Sequence, residues 1–419
     1  MLDINFIRNN PDAVREGISL KKADSRLVDD FLNLDKNWRE LVNETDNLRF
    51  EQNKAGENRE IKKAKEFKEQ IKKNEERLKD IKNQREKILR LFPNLPLADV
   101  PAGKDDNENV EIKKWGEIPH FDFKPKDHLA LGEALDIIDT ERAAKVSGSR
   151  FGYLKNQAAL LEFAVIQYAF NLLIKEGFIP VVPPILIKPE AMSAMGYVER
   201  GGEEIYFLEK DNLYLAGTSE QSIGPMHMDE VFDEKDLPRR YAAFSPCFRR
   251  EAGSYGKDIK GILRLHQFDK LEMFSITIPE KSVEEHKYLL SLEEKLMQGL
   301  NLPYRVLNIC SGDLGDPAAA KYDIEVWLPS QNTYRETHST SNTTDFQSRR
   351  LNVKYRPTEG KARYVHMLNG TAFAVGRIII AIMENYQQKD GSILMPETLK
   401  KYLEFEKIPH PSKIDNNQI

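Results

Sequence analysis

Residues 241–274, YAAFSPCFRREAGSYGKDIKGILRLHQFDKLEMF, contain two strand-like runs joined by a glycine-containing loop. The first runs from Tyr241 to Arg250 and the second from Leu265 to Phe274, and residues 252–261 between them are predicted to be flexible. Further strand candidates are Ile205 to Leu208, Leu213 to Leu215, Tyr322 to Leu328 and Tyr364 to Leu368. Because short connections join these strands without regular intervening helices, we predict an α+β fold with a mainly antiparallel sheet flanked by helices, rather than a doubly wound parallel sheet.

The two runs carry charged residues where apolar ones are expected in a strand. Side chains two residues apart share a strand face, so Arg249 and Glu251 point one way. Phe248 and Arg250 point the other way. The returning strand presents an alternating set on one face: His266, Phe268, Lys270, Glu272 and Phe274. This pattern alone fits two interpretations equally well: one face of a binding site, or an exposed hairpin with cross-strand ion pairs.

Two heptad patterns occupy the N-terminal part of the chain. The first seam comprises Leu27, Phe31, Leu34, Trp38, Leu41, Thr45, Leu48 and Gln52. After a polar break at residues 55–58, the second seam comprises Ala64, Phe67, Ile71, Asn74, Leu78, Ile81, Arg85, Ile88 and Phe92. Two long helices joined by a short turn run antiparallel, and narrow seams bury little surface. We therefore predict a coiled-coil hairpin, spanning about residues 27–92, that projects as an arm.

Residues 93–106 are rich in proline, glycine and aspartate and lack periodicity, which indicates a linker. We therefore predict an N-terminal domain at 1–103 and a second domain at 104–419. In the second domain, Gln157 to Glu176 is typical of a helix that ends at Gly177. The following Phe178 to Pro184 favours a strand that its prolines confine to a sheet edge or an interface.

The net charge of −5 is unevenly distributed along the chain. Residues 54–90 hold 14 Lys and Arg against 8 Asp and Glu, a local charge of +6 that leaves −11 for the rest. Such a segment fits contact with a polyanion, but it also fits a solvated helix face, so charge alone leaves nucleic-acid binding open.

Cysteine content and hydrophobic pattern also indicate the cellular compartment in which the protein is expected. Cys247 and Cys310, the two cysteines of the sequence, have no second ligand at metal-binding spacing, which argues against a disulfide framework and a zinc site. The N-terminal residues lack the pattern of a signal peptide. The most apolar helical stretch, residues 160–174, is interrupted by polar side chains, so we expect neither export nor a membrane span, and a reducing cytoplasm fits.

The sequence contains no P-loop, nucleophile elbow or strand-linked GxGxxG motif, so no machinery for covalent catalysis is visible. Instead, Phe248-Arg249-Arg250-Glu251, followed by Arg264-Leu265-His266-Gln267-Phe268 and Glu272, resembles motif 2 of the class II aminoacyl-tRNA synthetases in its seryl-specific form. The resemblance implies that Arg249 binds the ATP α-phosphate and that Glu251 reads the adenine amino group. It also implies a set of ATP-binding residues in this segment: Arg249, Arg250, Glu251, Arg264, Leu265 and Phe268. Of these, Arg264 reaches toward the phosphates and Phe268 stacks on adenine.

Two further segments resemble motifs of the same class. Gly370 to Arg377, followed by an apolar run to Asn385, is similar to motif 3, a strand that runs into a buried helix. The resemblance implies that Arg377 holds the γ-phosphate and joins Arg249 and Glu251 as a catalytic residue. Residues 177–184 resemble motif 1, which builds the dimer interface in these enzymes, so a homodimer is expected.

The amino-acid site is implied by residues 215–220, LAGTSE, which resemble the TxE loop of the seryl-specific family. In that loop the glutamate pairs with the substrate ammonium group. The serine-binding residues that the resemblance implies are Thr218, Ser219, Glu220, Glu272 and Thr371. A site built to hydrogen-bond a hydroxyl group can reject alanine, because polar groups would be left unpaired.

Residues 334–342, YRETHSTSN, resemble a segment whose glutamate and serine oxygens bind ATP and its Mg²⁺. The implied ATP-binding residues are Glu336, Thr337, His338 and Ser339, with Glu336 and Ser339 as the magnesium ligands. The family usually has serine where His338 stands, so we expect His338 to be a spectator or a water contact. Residues three apart do not share a strand face, so Glu336 and Ser339 can act together only across a bulge or turn.

Together these segments resemble the seryl-tRNA synthetase family over nearly the whole chain, except its last 20 or so residues. The resemblance implies a ligase that activates L-serine with ATP and Mg²⁺ and transfers it to tRNA(Ser), which the arm would contact. Charging of tRNA(Sec) stays open. Two alternatives are a ligase of the same fold that loads a carrier protein, and a catalytically silent paralogue that binds RNA or another synthetase.

Overall fold

The structure is a computed structural model that describes residues 1–251 and 261–411. Its contacts divide the chain into two compact units, Met1–Leu95 and the residues from Pro96 onward. This division falls shortly before the domain boundary predicted after residue 103. Except for Gly261, the segment predicted to be flexible lies outside the described residues, as does the end of the divergent tail from residue 412.

The first unit is built from helices. Their bounds are Ile4–Asn9 (α1), Pro11–Leu20 (α2), Arg26–Glu57 (α3) and Ile61–Leu91 (α4). Residues 58–60 join α3 to α4, and the two helices pack together along their length. Asn74 donates to Glu44 at 3.0 Å, and Arg49 pairs with Glu75 at 2.9 Å. These pairs between α3 and α4 confirm the predicted antiparallel hairpin.

A fully buried carboxylate, Asp35, lies in the part of α3 that α1 and α2 pack against. Arg8 donates to it from Nε and Nη2 at 2.8 Å each, and Arg85 of α4 donates from Nη1 at 3.0 Å. A buried charge is tolerated when it is paired and hydrogen-bonded in this way. The predicted seam placed Phe31 and Leu34 inward here; Phe31 is buried, but Leu34 is only partly buried. Val28 and Asp35, which lie outside the seam, are fully buried, because α1 and α2 also pack against this part of the helix.

The second unit mixes strands and helices. Its strands, in chain order, are Val110–Trp115 (β1), Ile138–Asp139 (β2), Tyr153–Leu154 (β3), Ile179–Val181 (β4), Leu186–Ile187 (β5), Phe207–Leu208 (β6), Leu213–Leu215 (β7), Val231–Asp233 (β8), Arg239–Phe248 (β9), Gln267–Thr277 (β10), Tyr304–Asn308 (β11), Ala320–Leu328 (β12), Thr333–Asn342 (β13), Lys354–Arg356 (β14), Arg363–Tyr364 (β15), His366–Ala374 (β16), Ile393–Leu394 (β17) and Lys407–Ile408 (β18). Its helices are His128–Ala134 (α5), Thr140–Ser147 (α6), Asn156–Lys175 (α7), Pro189–Met195 (α8), Val198–Gly201 (α9), Glu220–Ile223 (α10), Ser282–Gly299 (α11), Phe346–Leu351 (α12), Val375–Asn385 (α13) and Glu397–Lys400 (α14).

Eight strands form one sheet in the order β1-β11-β12-β13-β16-β10-β9-β4. Neighbours are antiparallel except β4, which runs parallel to β9 at the edge. The mainly antiparallel sheet is confirmed, as is the edge position of the proline-rich strand. The ladder of β9 with β10 ends at Phe248, so Arg249 and Arg250 follow the strand rather than belonging to it. Strands β1 and β11, which the sequence did not predict, extend the far side.

Helices α7, α11 and α13 contribute to the main hydrophobic core of the second unit. By length and composition alone, α7 could cross a membrane. Its inner face is buried within the protein, with Leu161, Val165 and Ala169 fully enclosed, which is the arrangement of a core helix. The predicted stop at Gly177 is observed, with a φ of 85° that favours glycine.

Candidate active site

A cavity of about 590 Å³ lies against the central strands of the large sheet. Side chains from β10, β12, β13 and β16 line it, together with residues that follow β7 and β9 and with the start of α13. The predicted site residues that line it are Thr218, Glu220, Arg249, Glu251, Arg264, Leu265, Phe268, Glu272, Glu336, Thr337, Ser339, Thr371 and Arg377. Segments distant in sequence therefore meet in one space.

One end of the cavity carries arginine and aromatic side chains. The Nε atom of Arg249 donates to the carbonyl of Gly217 at 3.1 Å, and its guanidinium carbon lies 5.3 Å from the centre of the Phe268 ring. Glu251 forms an ion pair with Arg264, which comes from the return leg of the hairpin. Arg249 and Glu251 both line the cavity, but so does Phe248, because β9 ends at Phe248 and the residues after it do not continue the strand alternation.

Arg250 and Ser219 belong to the predicted site, but their side chains have other surroundings. Arg250 points away from the cavity, and its guanidinium lies 5.1 Å from the ring centre of Tyr206. Ser219 is fully buried, and its hydroxyl shares a hydrogen bond of 2.8 Å with that of Ser245. Arg250 follows the end of β9, and Ser219 directly precedes α10, where its hydroxyl faces β9. Neither side chain lines the cavity.

A second end of the cavity is acidic. Glu220 is buried, and its two carboxylate oxygens accept hydrogen bonds from Tyr197 at 2.9 Å and from Gln347 at 2.7 Å. Burial raises the pKa of Glu220, and these two donors oppose the rise. Glu272 pairs with Lys270 and accepts a hydrogen bond from Thr371 at 3.5 Å.

Three residues that contact the carboxylates of this acidic end, Lys270, Tyr197 and Gln347, were assigned no role from the sequence. Lys270 belonged to the alternating set on the returning strand but was given no role. Tyr197 and Gln347 have no local signal, because Gln347 reaches Glu220 across 127 residues of sequence. Only the fold brings them together.

Glu336 and Ser339 both line the cavity although they lie three residues apart. The register of β13 against β12 shifts between the pairs Ile324↔His338 and Glu325↔Glu336, which leaves Thr337 as an extra residue. The hydroxyl of Thr337 donates to the carbonyl of Ile324 at 3.2 Å. This bulge is the one that the sequence required if the two residues were to act together.

His338 is a third residue of the predicted site that does not line the cavity. It is fully buried, its ring centre lies 5.7 Å from that of Phe373, and its Nδ1 atom is hydrogen-bonded to Thr337 at 2.8 Å. Burial lowers the pKa of His338 to about 3, so the side chain is neutral. The implied contact with ATP does not fit this position, whereas the expectation of a spectator does.

Cations gather around Glu336. Arg377, in the first turn of α13, donates from Nη1 to the Glu336 carboxylate at 3.2 Å and to its carbonyl at 2.9 Å. Desolvation disfavours a charge on Glu336, whose side chain is 48% exposed, but Arg377, Lys321 and Arg249 outweigh this effect and hold its pKa below the usual value. Burial likewise opposes the charge of Lys321, yet Asp323, at 2.9 Å, and Glu336 raise its pKa. Lys321 carried no sequence signal.

The protein offers no ready-made metal cluster within residues 1–251 and 261–411. No group of three or more His, Cys, Asp or Glu side chains in these ranges is arranged to hold a metal ion. Cys247 and Cys310 are both buried free thiols.

The side chains of the cavity can bind charged groups of a substrate at defined positions. Arginine and lysine groups suit phosphate oxygens, a carboxylate with an aromatic ring suits a base, and the acidic end suits an ammonium group. Arginines just after β9 and at the start of α13 meet in one cavity on an antiparallel sheet, which is the arrangement that the resemblance to class II aminoacyl-tRNA synthetases implies.

Comparison with known proteins narrows this class. Residues 206–386 match the tRNA synthetase class II core domain (G, H, P, S and T), and residues 1–96 match the seryl-tRNA synthetase N-terminal domain. The serine–tRNA ligase of Dictyoglomus turgidum is 49% identical over 96% of this chain and 98% of its own length.

Solved structures agree. The seryl-tRNA synthetase of Pyrococcus horikoshii, complexed with ATP, is 42% identical and superposes with a TM-score of 0.94 over 98% of this chain and 100% of that chain. The cytoplasmic serine–tRNA ligase of Naegleria fowleri, in complex with AMP, is 34% identical with a TM-score of 0.91, covering 98% and 99%. The chain belongs to the seryl-tRNA synthetase family.

Proposed function

We propose that this chain joins L-serine to tRNA(Ser) in two steps at the cavity. The serine carboxylate attacks the α-phosphorus of ATP, which gives seryl-adenylate and releases pyrophosphate. The 3′-hydroxyl of the terminal tRNA ribose then attacks the seryl carbonyl and releases AMP. The observation that carries the proposal is the meeting, in one cavity, of a cationic end fit for phosphates and an acidic end fit for an ammonium group. Neither step needs a protein nucleophile, because positioning and charge stabilisation suffice.

ATP occupies the end that contains the arginines. Arg249, fixed by the carbonyl of Gly217 at 3.1 Å, binds the α-phosphate and stabilises the charge that develops there. Phe268 stacks on adenine, and Glu251 accepts from its amino group. Arg264 and Arg377 contact the outer phosphates. A planar guanidinium group suits each of these phosphate contacts better than a lysine would.

Serine occupies the acidic end. Glu220 pairs with the substrate ammonium group, and its hydrogen bonds from Tyr197 and Gln347 favour the charged form that this pairing needs. Thr218, Glu272 and Thr371 surround the amino and hydroxyl groups of the amino acid. Lys270 pairs with Glu272, which limits the negative charge that the buried end must accommodate.

Mg²⁺ bound with ATP fits Glu336 and Ser339. Their carboxylate and hydroxyl oxygens are hard ligands, and the depressed pKa of Glu336 keeps it ionised at neutral pH. Two protein ligands are few, as expected for Mg²⁺, which takes its other ligands from phosphates and water. The ion would neutralise phosphate charge, while Arg249 and Arg377 orient the triphosphate.

A homodimer is supported by an apolar surface on α7 and around β4. Large apolar side chains are exposed there in one stretch of sequence: Leu160, Phe163, Ile174, Ile179, Val182 and Leu186. Within the described part of the chain, the edge strand β4 is also unpaired on its outer side. Exposed large apolar side chains near an open strand edge are typical of a subunit interface. A second copy of the chain is the occupant that motif 1 implies.

The helical hairpin of the first unit is the tRNA-binding element of this proposal. Its segment 54–90 carries the local charge of +6, on side chains that are mostly exposed. Binding that neutralises phosphates releases counterions, so its affinity falls as salt rises. A cytoplasmic location agrees with the free thiols of Cys247 and Cys310.

Amino-acid-dependent exchange of pyrophosphate into ATP tests the first step. Exchange with serine, and not with alanine or glycine, is expected. Charging of tRNA(Ser) compared with loading of a carrier protein then tests the second step. Absence of exchange with every amino acid would instead favour the silent paralogue, and transfer to the carrier protein alone would favour the other ligase.

A further inference from the structure

His128 lies outside the cavity, at the start of α5, and is 5% exposed. Its Nε2 atom accepts a hydrogen bond of 3.2 Å from the backbone N–H of Ile262. An imidazole that accepts at Nε2 is neutral and carries its proton on Nδ1. The sequence analysis gave this histidine no role.

Glu384, fully buried near the end of α13, lies beside His128. Its Oε1 atom accepts from the backbone N–H of His128 at 3.1 Å and lies 3.5 Å from Nδ1 of the same residue. Its Oε2 atom accepts from the backbone N–H of Ser330 at 3.1 Å. A carboxylate beside Nδ1 favours the tautomer that leaves Nε2 free to accept.

Gly261 shows how closely the backbone approaches the histidine. Its φ is 77°, in the region that favours glycine, and a Cβ at this position would overlap the Nε2 atom of His128. The next residues, 262–265, all line the cavity, and Arg264 among them pairs with Glu251. The backbone that His128 holds is thus the start of the segment that delivers Arg264.

We propose that His128 is a positioning residue for ATP binding, acting through Arg264. Its acceptor nitrogen fixes the N–H of Ile262, and the ring sets the path of the backbone at Gly261. The guanidinium group of Arg264, two residues further, then meets the phosphates without a conformational search. The inference rests on the proposed contact of Arg264 with ATP, and it assigns Glu384 as the group that orients His128.

The test compares two replacements of His128. His128→Leu fills space but accepts no hydrogen bond, whereas His128→Gln retains an acceptor at a similar reach. Loss of one hydrogen bond to a buried N–H is expected to raise the Kd for ATP and the KM for ATP about tenfold in His128→Leu. The KM for serine should stay within about twofold, and His128→Gln should recover most of the ATP affinity.

Two comparisons separate positioning from general destabilisation. His227→Leu removes another buried histidine, hydrogen-bonded to Tyr241 at 2.7 Å and away from the cavity, and should lower the melting temperature without changing the Kd for ATP. In an Arg264→Ala background, His128→Leu should have no further effect on the Kd, because the group it acts through is gone.

The inference is wrong if His128→Leu leaves the Kd for ATP unchanged, if it raises the KM for serine equally, or if its effect persists in the Arg264→Ala background. Failure of His128→Gln to recover affinity also overturns it. Calorimetric titration with ATP needs no turnover. If the protein binds ATP but exchanges no pyrophosphate with serine, the proposed function is refuted. The role of His128 is still decided in that case, because it is measured by the Kd for ATP.

Discussion

Glu336 and Ser339 lie three residues apart on β13, yet both face the cavity, because Thr337 forms a bulge between them. A regular strand would turn one of the two side chains to the opposite face. The bulge also turns His338 into the core, where burial keeps it neutral. One inserted residue thus places a carboxylate and a hydroxyl together and removes the histidine from the site.

The magnesium assignment predicts a defect that depends on the metal concentration. Glu336→Gln keeps the shape but loses the charge, so kcat/KM for ATP in pyrophosphate exchange should fall about a hundredfold. The Mg²⁺ concentration for half-maximal rate should rise. Glu285→Gln is the matched control, since Glu285 is a buried carboxylate that pairs with Arg240 at 2.6 Å outside the cavity. Equal Mg²⁺ requirements in Glu336→Gln and the wild type would contradict the assignment.

Tyr197→Phe tests the hydrogen bond to Glu220. The pKa of Glu220 is already raised by burial, and loss of the Tyr197 hydroxyl raises it further. Only the ionised carboxylate attracts the serine ammonium group, so serine binding weakens as pH falls through this pKa. The KM for serine should therefore rise about tenfold at neutral pH and begin its increase at a higher pH than in the wild type.

The readout for Tyr197→Phe is the KM for serine between about pH 5.5 and 8, with the KM for ATP as the internal reference. Tyr241→Phe removes a buried hydroxyl that is hydrogen-bonded to His227 instead and serves as control. A parallel rise in both KM values, or an unchanged pH profile, would argue against a role for Tyr197 at the serine end.

Replacing Glu293 by Gln is expected to stabilise the protein, by an amount that depends on pH. Glu293 is fully buried in α11, and burial, followed by Asp323 and Glu272, raises its pKa well above the usual value of 4.5. The unfolded chain ionises this group near that value while the folded chain does not, so stability is lost as pH rises toward the folded pKa. Glu293→Gln removes this loss, and its advantage should grow as pH rises from 4.5 toward the folded pKa, by about 1.4 kcal/mol per pH unit within that window.

Thermal unfolding of Glu293→Gln and the wild type from about pH 5 to 8 checks the gain. Glu285→Gln, which breaks a buried ion pair with Arg240, should instead destabilise throughout this range. A constant or shrinking difference between Glu293→Gln and the wild type would show that Glu293 is ionised in the folded protein.

Shortening the hairpin should separate the two steps of the reaction. Glu44 and Asn74 face each other at 3.0 Å, so a glycine-rich turn replacing residues 46–72 leaves the Asp35 network intact. Pyrophosphate exchange should stay within about twofold of the wild type, whereas kcat/KM for tRNA charging should fall at least about a hundredfold, because the shortened arm no longer reaches the tRNA phosphates. Equal loss of both activities would contradict a division of labour between the units.

A charge-only variant complements the shortened hairpin. Lys62, Lys65 and Lys68 are exposed on α4, and their replacement by Gln preserves the length of the arm. The dependence of tRNA affinity on salt should become shallower by about 0.9 for each phosphate that the variant no longer neutralises. An unchanged slope would place the tRNA on another surface.

The proposed dimer interface is tested by adding charge to it. Phe163 is 68% exposed on α7 and Val182 is 78% exposed after β4. The double variant Phe163→Asp with Val182→Asp should sediment as a monomer at concentrations where the wild type is a dimer, because burying unpaired carboxylates is costly. Phe50→Asp, at a 67% exposed position on the hairpin, should leave the mass unchanged. A dimeric double variant would contradict this interface.

Local sequence patterns were sufficient to predict several elements of the fold and part of the site. The heptad seams identified α3 and α4, and alternation along the returning strand placed Phe268, Lys270 and Glu272 on one face, which lines the cavity. The required bulge between Glu336 and Ser339 also followed from strand geometry. Family resemblance assigned roles to positions but did not reveal their faces, which is why Arg250, Ser219 and His338 were placed in the site and the structure turns them elsewhere.

The sequence by itself determined the helical hairpin, the antiparallel sheet and the residues on each strand face, because side-chain direction repeats about every 2 residues in a strand and about every 3.5 in a coiled coil. Only the tertiary structure decided which distant side chains support them. Tyr197 and Gln347 reach Glu220, and Asp35 replaces an apolar seam residue, through packing that no local repeat encodes. Register and burial, which fix such partners, are properties of the assembled sheet and core.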